Sequence, residues 1–284
     1  MHVKQKLTAI GLTVLGLMMV SPAWAIEWLD QPRQGSLMRG KVEPGHAIRF
    51  HGEPVRVTED GAFVIGFSRE ADLDQKVVEV TSSGERIVHP LTLQEREYDI
   101  QRIEGVPQRT VTPDPKNLKR IRAEAALVRK ARKTDSDLTF FTDAFIWPAQ
   151  GPITGVYGSQ RVYNGEPRRP HYGVDIAAPK GAPVVAPAPG TVTLVHDNMF
   201  FSGGTLLIDH GYGVSSTFIH MDEVLVEEGQ HVEQGDLIGR VGEKGRATGP
   251  HLDWRMNWYD VRVDPSFLAP PLDHGKTPQT ASAE

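Results

Sequence analysis

Hydrophobic and polar residues alternate in short segments between residues 26 and 106, and turn-forming residues separate the segments. Alternation with a period of two is typical of β-strands that bury one face. Three stretches favour hairpin turns: Glu43-Pro44-Gly45, Asp60-Gly61 and Ser82-Ser83-Gly84. We therefore predict a small antiparallel β-sandwich over residues 26–106, with strands over 36–41, 46–50, 55–58, 62–67, 76–81 and 86–90.

A helical pattern replaces the strand pattern in a linker over residues 107–135. Asp114 followed by Pro115 is typical of a helix start, and the predicted helix ends at about Lys133. Its apolar stripe is narrow and most of its other positions are Lys or Arg; the stripe consists of Leu118, Ile121, Ala125 and Val128. This pattern favours a solvated helix packed by one stripe between two domains, with contact to an anionic envelope surface as the alternative.

Strand-like segments rich in Val and Gly return over residues 136–270. They predict an antiparallel β-sheet domain with strands over 183–186, 190–196, 205–209, 214–220 and 237–241. The fold class expected for the whole chain is therefore all-β, with two sheet domains joined by one helix.

The two ends of the chain have compositions unlike the middle. Lys4 and Lys6 precede an apolar run over residues 7–20 and the sequence Ser21-Pro22-Ala23-Trp24-Ala25, which together predict a secretory signal peptide over 1–25. The mature chain would then begin at Ile26, although an uncleaved membrane anchor is the alternative. No later segment is apolar enough to span a bilayer, and the tail over 271–284 is expected to be disordered.

Composition and charge exclude several classes of protein. The chain has 31 Lys and Arg against 36 Asp and Glu, a formal charge of 31 − 36 = −5, which gives no support for a nucleic-acid partner. It contains no cysteine, which excludes disulfides, thiolate zinc sites and cysteine nucleophiles. Any metal ion must therefore be held by histidine and carboxylate side chains.

Three polar groups lie on strand-like sequence in the carboxy-terminal half. They are His171 with Asp175, the segment that ends at His220, and His251 with Asp253. Residues two or four apart on a strand share a face, so each short-spaced pair points the same way. Two neighbouring ligands plus a distant third are typical of a catalytic zinc site that keeps a position for water. On spacing alone, a loop-capping role for Asp175 stays equally open.

Four ordered motifs resemble the lysostaphin-type zinc endopeptidases, which cleave peptide bonds of bacterial peptidoglycan. They read HYGVDIAAPKGAPVVAPAPGTV, GGTLLIDHGYGVSSTFIHM, VEEGQHVEQGDLIGRVG and GRATGPHLDW, and the resemblance covers residues 145–268. It implies one Zn²⁺ per chain, with His171 and Asp175 as ligands and His220 and His251 as non-ligating active-site histidines. The third motif also resembles half of a biotinyl or lipoyl carrier domain, but a carrier would leave these residues unexplained.

One position departs from the family pattern, because Asp253 stands where the family usually has a second ligating histidine. A carboxylate binds zinc at nearly the same distance as an imidazole, so Asp253 is expected to be the third ligand. Arg255 and Asn257 alternate with it and are candidates either for orienting it or for a structural salt bridge. Family members that have lost ligands instead activate cell-wall amidases.

The resemblance thus implies a zinc-dependent endopeptidase that hydrolyses peptide cross-links or stem peptides of peptidoglycan. With the predicted signal peptide, it places the protein in the periplasm, with no membrane span in the mature chain and peptidoglycan as its partner. A protein regulator of the envelope, or an amidase activated by a catalytically silent site, is the alternative partner.

Overall fold

The computed structural model describes residues 26–103 and 115–271. The predicted signal peptide, linker residues 107–113, the predicted helix cap at Asp114 and nearly all of the predicted disordered tail lie outside these ranges. Within them, no helix is long and apolar enough to cross a membrane.

Eight strands make up the amino-terminal part. In chain order they are β1 (Glu27–Trp28), β2 (Leu37–Lys41), β3 (Ala47–Phe50), β4 (Glu53–Val55), β5 (Ala62–Gly66), β6 (Asp74–Val80), β7 (Arg86–Thr92) and β8 (Ile100–Ile103). The order β1-β2-β5 forms one sheet and β4-β3-β6-β7 forms another. Side chains from both sheets share one core, including Met38, Ile48, Phe63, Ile65 and Val77. This is the two-sheet arrangement predicted from the alternating pattern.

One α-helix, α1 (Leu118–Arg132), and thirteen further strands follow in the described residues. The strands are β9 (Ile153–Gly155), β10 (Gln160–Tyr163), β11 (Glu166–Pro167), β12 (Val174–Ala177), β13 (Pro183–Val185), β14 (Gly190–Met199), β15 (Gly203–Gly211), β16 (Val214–Met221), β17 (Glu223–Val224), β18 (His231–Val232), β19 (Leu237–Arg240), β20 (His251–Trp258) and β21 (Val261–Val263). Short 3₁₀ turns cover Pro115–Asn117, Phe140–Thr142 and Pro265–Phe267.

A large antiparallel sheet organises the carboxy-terminal domain. Its order is β18-β14-β15-β16-β20-β12-β9, and β21 pairs with β20 beside β12. One face of this sheet carries the main core, with Leu206, Phe218 and Trp254 fully buried. The opposite face carries Asp253 and Arg255, and we call it the polar face. The all-β prediction is confirmed, with one exception to antiparallel pairing: β8 pairs with β10 in parallel.

Helix α1 packs on the polar face rather than standing free between domains. Val128 and Ala131 contact Leu194 and Leu207 of β14 and β15. The predicted helix is present, but its predicted stripe is only partly right, because Leu118 is exposed while Glu124 and Arg132 are buried. The Glu124 carboxylate accepts the backbone N–H of Phe200 at 2.8 Å, which explains why a charged side chain lies on the packed side.

Trp258 joins the two domains, since its indole packs against both hydrophobic cores. Gly66 of β5 lies so close that a Cβ there would stand 2.9 Å from Trp258 Cβ. The Arg56 guanidinium also contacts the second domain, donating to Asp135, to Asp137 and to the Ser136 carbonyl. The amino-terminal domain is therefore held against the end of β20 by packing and by charge.

Two local predictions were wrong for identifiable reasons. Residues 55–58 were expected to form a strand, whereas β4 ends at Val55, because Thr58 accepts the Ala62 N–H in a turn. The strand predicted over 205–209 was expected to end before His210, but β15 continues through His210 to Gly211 and the imidazole is fully buried. His210 Nδ1 contacts the Pro189 carbonyl at 2.7 Å and Nε2 contacts Ser216 Oγ at 2.8 Å.

The burial of His210 predicts a loss of stability in acid. Burial lowers the pKa of His210 from 6.5 to about 4, against the opposing effect of the Pro189 hydrogen bond. Between these values the unfolded chain binds a proton that the folded chain excludes, so the free energy of unfolding falls as pH falls from 6.5 towards 4. The expected loss from this residue is about 3 kcal/mol.

Urea unfolding of the native protein and of His210→Gln at pH 7, 5.5 and 4.5 measures this effect. The variant should lose less stability than the native protein between the first and last pH, while exposed His231→Gln should match the native protein. Equal pH dependence in the native protein and His210→Gln would contradict the assignment.

Candidate metal centre

Two carboxylates face each other on the polar face of the large sheet. Asp175 of β12 and Asp253 of β20 are direct cross-strand partners in an antiparallel pair. Directly opposed residues place their side chains on the same face of a sheet, close enough to interact. Asp253 is buried and Asp175 is partly buried.

His171 reaches this pair from the loop that leads into β12. The strand begins at Val174, so the shared-face argument from strand spacing does not apply to His171. Backbone hydrogen bonds hold the loop instead: the His171 N–H donates to the Ser159 carbonyl and the His171 carbonyl accepts from Gly158. His171 Nε2 lies 3.2 Å from Asp175 Oδ1, and Nδ1 lies 4.0 Å from Asp253 Oδ2.

The donor atoms of this cluster fit a divalent cation. One atom each from His171, Asp175 and Asp253 lies within 4.8 Å of the other two. His171 Nε2 and Asp175 Oδ1 are buried and lie 3.2 Å apart without hydrogen-bond geometry between them, and neither has another hydrogen-bond partner among the described residues. Buried polar atoms are rarely left unpaired, and one nitrogen with two carboxylate oxygens is a set that zinc accepts.

Two glycines leave space for the carboxylates. A Cβ on Gly155 would lie 2.2 Å from Asp175 Oδ2, and one on Gly173 would lie 2.2 Å from Asp253 Oδ1. These distances are far shorter than any allowed contact. Glycine is therefore required at both positions, because any side chain would push a carboxylate out of the cluster.

A second pair of histidines borders the cluster. The rings of His220 and His251 lie 4.8 Å apart between centroids, and His251 Nε2 is 3.8 Å from Asp175 Oδ1. Ile219 pairs with Asp253, so regular alternation would place the next residue on the core face. His220 instead has a φ of 66°, which interrupts the alternation. Positive φ is strained for a residue with a Cβ, and such strain is concentrated at functional sites.

Backbone carbonyls fix the tautomer of both histidines. His220 Nδ1 lies 2.8 Å from the Lys244 carbonyl, and His251 Nδ1 lies 2.8 Å from the Gly249 carbonyl. A carbonyl oxygen only accepts hydrogen bonds, so each Nδ1 carries the proton and each neutral ring has a lone pair on Nε2. Burial lowers the pKa of His220, although the bond to the Lys244 carbonyl opposes the shift. The neutral, proton-accepting form of His220 is thereby favoured.

Arg255 holds the Asp253 carboxylate through two hydrogen bonds. Its Nε donates to Oδ1 at 2.9 Å and its Nη2 donates to Oδ2. Burial alone would raise the pKa of Asp253, but the charge and hydrogen bonds of Arg255 outweigh burial and lower that pKa. Burial similarly opposes protonation of His171, yet the close Asp175 and Asp253 carboxylates raise its pKa.

The Asp253–Arg255 ion pair has a net charge of zero, the same as a neutral histidine ligand. Two carboxylates contribute −2 and Arg255 contributes +1, so the site carries −2 + 1 = −1 when His171 is neutral. A site with two histidines and one carboxylate also carries −1. The arginine two residues along β20 thus compensates the charge that aspartate introduces in place of histidine.

The structure brings together all five residues that the sequence singled out, whereas Asn257 does not contact them. Asn257 Nδ2 donates to the Tyr259 carbonyl at 3.3 Å. Strand alternation correctly predicted that Arg255 lies on the same face of the sheet as Asp253. It left open whether Arg255 orients Asp253 or forms a structural salt bridge.

Outside the site, His46 and His89 both contact the buried Glu79 carboxylate, at 2.6 and 2.7 Å. Sequence spacing gave no sign of that contact, because the register of β3, β6 and β7 creates it.

Comparison with known proteins supports the family resemblance. Residues 169–265 match the family model described as Peptidase family M23. Over 97 residues the chain is 37% identical to an uncharacterized metalloprotease of Haemophilus influenzae, covering 34% of this chain and 20% of that protein. Over 87 residues it is 39% identical to the peptidoglycan DD-endopeptidase ShyB of Vibrio cholerae, covering 31% and 20%. The chain therefore spans about a fifth of the length of these relatives.

A solved structure matches much more of the chain. It is described as a presumed peptidase M23 from Pseudomonas aeruginosa, is 29% identical, and aligns with a TM-score of 0.66. The alignment covers 84% of this chain and 96% of that one, so it includes the amino-terminal domain as well. The carboxy-terminal domain is therefore similar, in sequence over residues 169–265 and in fold, to peptidases of family M23.

Proposed function

We propose that this protein is a zinc-dependent endopeptidase that hydrolyses peptide cross-links or stem peptides of bacterial peptidoglycan. The observation that carries the proposal is the cluster of His171, Asp175 and Asp253, in which two donor atoms are buried and unpaired among the described residues. These three residues would hold one Zn²⁺ per chain. The relative described as a peptidoglycan DD-endopeptidase supports this substrate class.

His220 and His251 can carry out the proton transfers that peptide-bond hydrolysis requires. Zinc, when bound, polarises the scissile carbonyl and makes a water molecule more acidic. The carbonyl bonds at Nδ1 leave Nε2 of both rings for the reaction: one ring, unprotonated at Nε2, can accept the proton of the attacking water, and the other, when it is protonated at Nε2, can donate to the developing oxyanion. The carbonyls of Lys244 and Gly249 keep both rings oriented during the transfer.

We place this activity in the periplasm. The basis is the predicted signal peptide over residues 1–25 together with the location of peptidoglycan. The negative charge of the predicted mature chain, −5 − 2 = −7 after loss of Lys4 and Lys6, gives no attraction to an anionic polymer. Recognition of the wall would then depend on the site itself.

One observation favours a second candidate function. Arg255 already binds both oxygens of Asp253, so a cation must share that carboxylate with a guanidinium. If it cannot, the domain is catalytically silent and binds and activates a cell-wall amidase through the same face of the sheet. The charge equivalence of the Asp253–Arg255 pair with a neutral histidine is our reason for preferring the enzyme.

Removing the third carboxylate should remove the metal. Purified mature protein is expected to contain one equivalent of zinc and to release soluble muropeptides from sacculi, whereas Asp253→Ala should lose both because two protein ligands bind zinc too weakly. Elemental analysis and muropeptide chromatography measure the two properties. Absence of zinc and of hydrolysis in the native protein, with both restored in Asp253→His, would instead support the silent site.

Removing the arginine should strengthen metal binding. Arg255→Gln deletes a positive charge bound to a ligand carboxylate, so we expect about tenfold higher zinc affinity in competition with a chelating dye. Arg129→Gln deletes a charge on an exposed part of α1 and should leave the affinity unchanged. A lower affinity in Arg255→Gln would mean that positioning of Asp253 outweighs charge repulsion.

Removing either proton-transfer histidine should abolish hydrolysis without removing zinc. His220→Ala and His251→Ala are each expected to reduce muropeptide release by 10²- to 10⁴-fold, the usual contribution of general acid–base catalysis. Zinc content should stay at one equivalent in both variants. His196→Ala, remote from the cluster, is the matched control. Full hydrolysis by either active-site variant would refute the proposed proton transfers.

A further inference from the structure

A row of polar residues crosses the polar face next to the candidate metal centre. Asn257 of β20 is paired with Ser215 of β16 on one side and with Arg262 of β21 on the other. The three side chains therefore share one face of the sheet. Asn257 and Ser215 are buried, and Arg262 is partly buried.

Each member of this row has a buried polar atom without a hydrogen-bond partner among the described residues. These atoms are Ser215 Oγ, Asn257 Oδ1 and Arg262 Nη1. Buried polar atoms are nearly always hydrogen-bonded, so three unpaired neighbours in one row are unusual. The main hydrophobic core lies on the other face of the sheet.

Arg132 covers this part of the sheet from the last turn of α1. It is 8% exposed, its Nη2 donates to Thr217 Oγ1 at 3.3 Å, and its Nε has no partner among the described residues. Thr217 is the cross-strand partner of Arg255, one row nearer the metal ligands. We call Arg132, Ser215, Asn257 and Arg262 the arginine pocket.

The charge around this pocket is positive. Burial lowers the pKa of Arg262 to about 10, and the nearby charges of Arg255 and Arg169 act in the same direction. Burial is also the main cause that lowers the pKa of Arg132, followed by the charges of Arg262 and Arg255.

The carboxylates that oppose this charge are Asp260, which raises the pKa of Arg132, Asp175, which raises the pKa of Arg255, and Asp253, which is paired with Arg255. Four arginines (Arg132, Arg169, Arg255 and Arg262) against three aspartates give 4 − 3 = +1. Such an excess of partly buried positive charge is costly unless an anion compensates it.

We propose that the arginine pocket binds a free carboxylate group of the peptide substrate. Arg132 Nε and Arg262 Nη1 are unpaired donors on the same face of the sheet, so each can donate to one oxygen of a carboxylate, while the Ser215 hydroxyl can donate as a third group. A cation is excluded by the charge. The inference rests on the proposed function, because it treats the pocket as a substrate subsite of the same peptidase.

The position of the pocket sets the spacing between this carboxylate and the bond that is cleaved. Asn257 is four residues beyond Asp253 on β20. At about 3.3 Å per residue, the pocket lies about 13 Å from Asp253 along the strand. An extended peptide covers that distance with about four residues. Arg262 also lies over the ring of Tyr172, the neighbour of His171, with 5.8 Å between the guanidinium carbon and the ring centroid.

A pair of matched peptides tests the proposal. Acetyl-Ala-Lys-D-Ala-D-Ala and its carboxamide differ only in the terminal charge, and calorimetric titration of the zinc-loaded protein compares their affinities, with intact peptide verified by mass spectrometry. The free acid is expected to bind at least tenfold more tightly. Arg262→Gln and Arg132→Gln should each remove most of this preference, and Arg262→Lys should keep part of it.

Arg129→Gln is the matched control variant. It removes a charge from an exposed part of α1, three residues before Arg132, and should keep the full preference for the free acid over the carboxamide. Equal affinity for acid and amide, or no detectable binding of either at 10 mM, would overturn the proposal and leave the pocket as a hydrated structural feature. Zinc content and muropeptide release from the same preparation show separately whether the proposed enzyme function holds.

Discussion

The site depends on the cost of placing two carboxylates opposite each other on neighbouring strands. Asp175 and Asp253 are direct partners across β12 and β20, where like charges destabilise a sheet. Positive charge must therefore be supplied nearby, and Arg255 supplies it from the same strand, while His171 approaches the two carboxylates from the preceding loop. The two glycines that border the carboxylates keep the strands close enough for this arrangement.

Much of the fold could be predicted because strand alternation is a local property. The two-sheet amino-terminal domain, the helix and the large sheet all follow from the period of apolar residues and from turn residues. Features that arise from packing between distant segments could not be predicted this way. The parallel pairing of β8 with β10 and the docking of α1 on the polar face depend on contacts far apart in the chain.

The site, too, has residues that could be predicted from the sequence and features that only the packing of distant segments reveals. The family resemblance indicated His171, Asp175, Asp253, His220 and His251 together, although strand spacing was the wrong reason for His171. The left-handed backbone of His220 is invisible in a segment of alternating residues, yet it directs that ring towards His251. Arg132 had no signal at all. It is one of many basic residues on α1, and only the packing of the helix distinguishes the buried one from its exposed neighbours.

Trp258 has a consequence for how the molecule unfolds. Its indole belongs to the hydrophobic cores of both domains, and it ends the strand that carries Asp253, Arg255 and Asn257. Neither domain can separate without exposing this large side chain to water, so the two should melt as one cooperative unit. The amino-terminal domain then acts as a brace for β20, and the geometry of the carboxylates is linked to the integrity of a domain that contributes no residue to them.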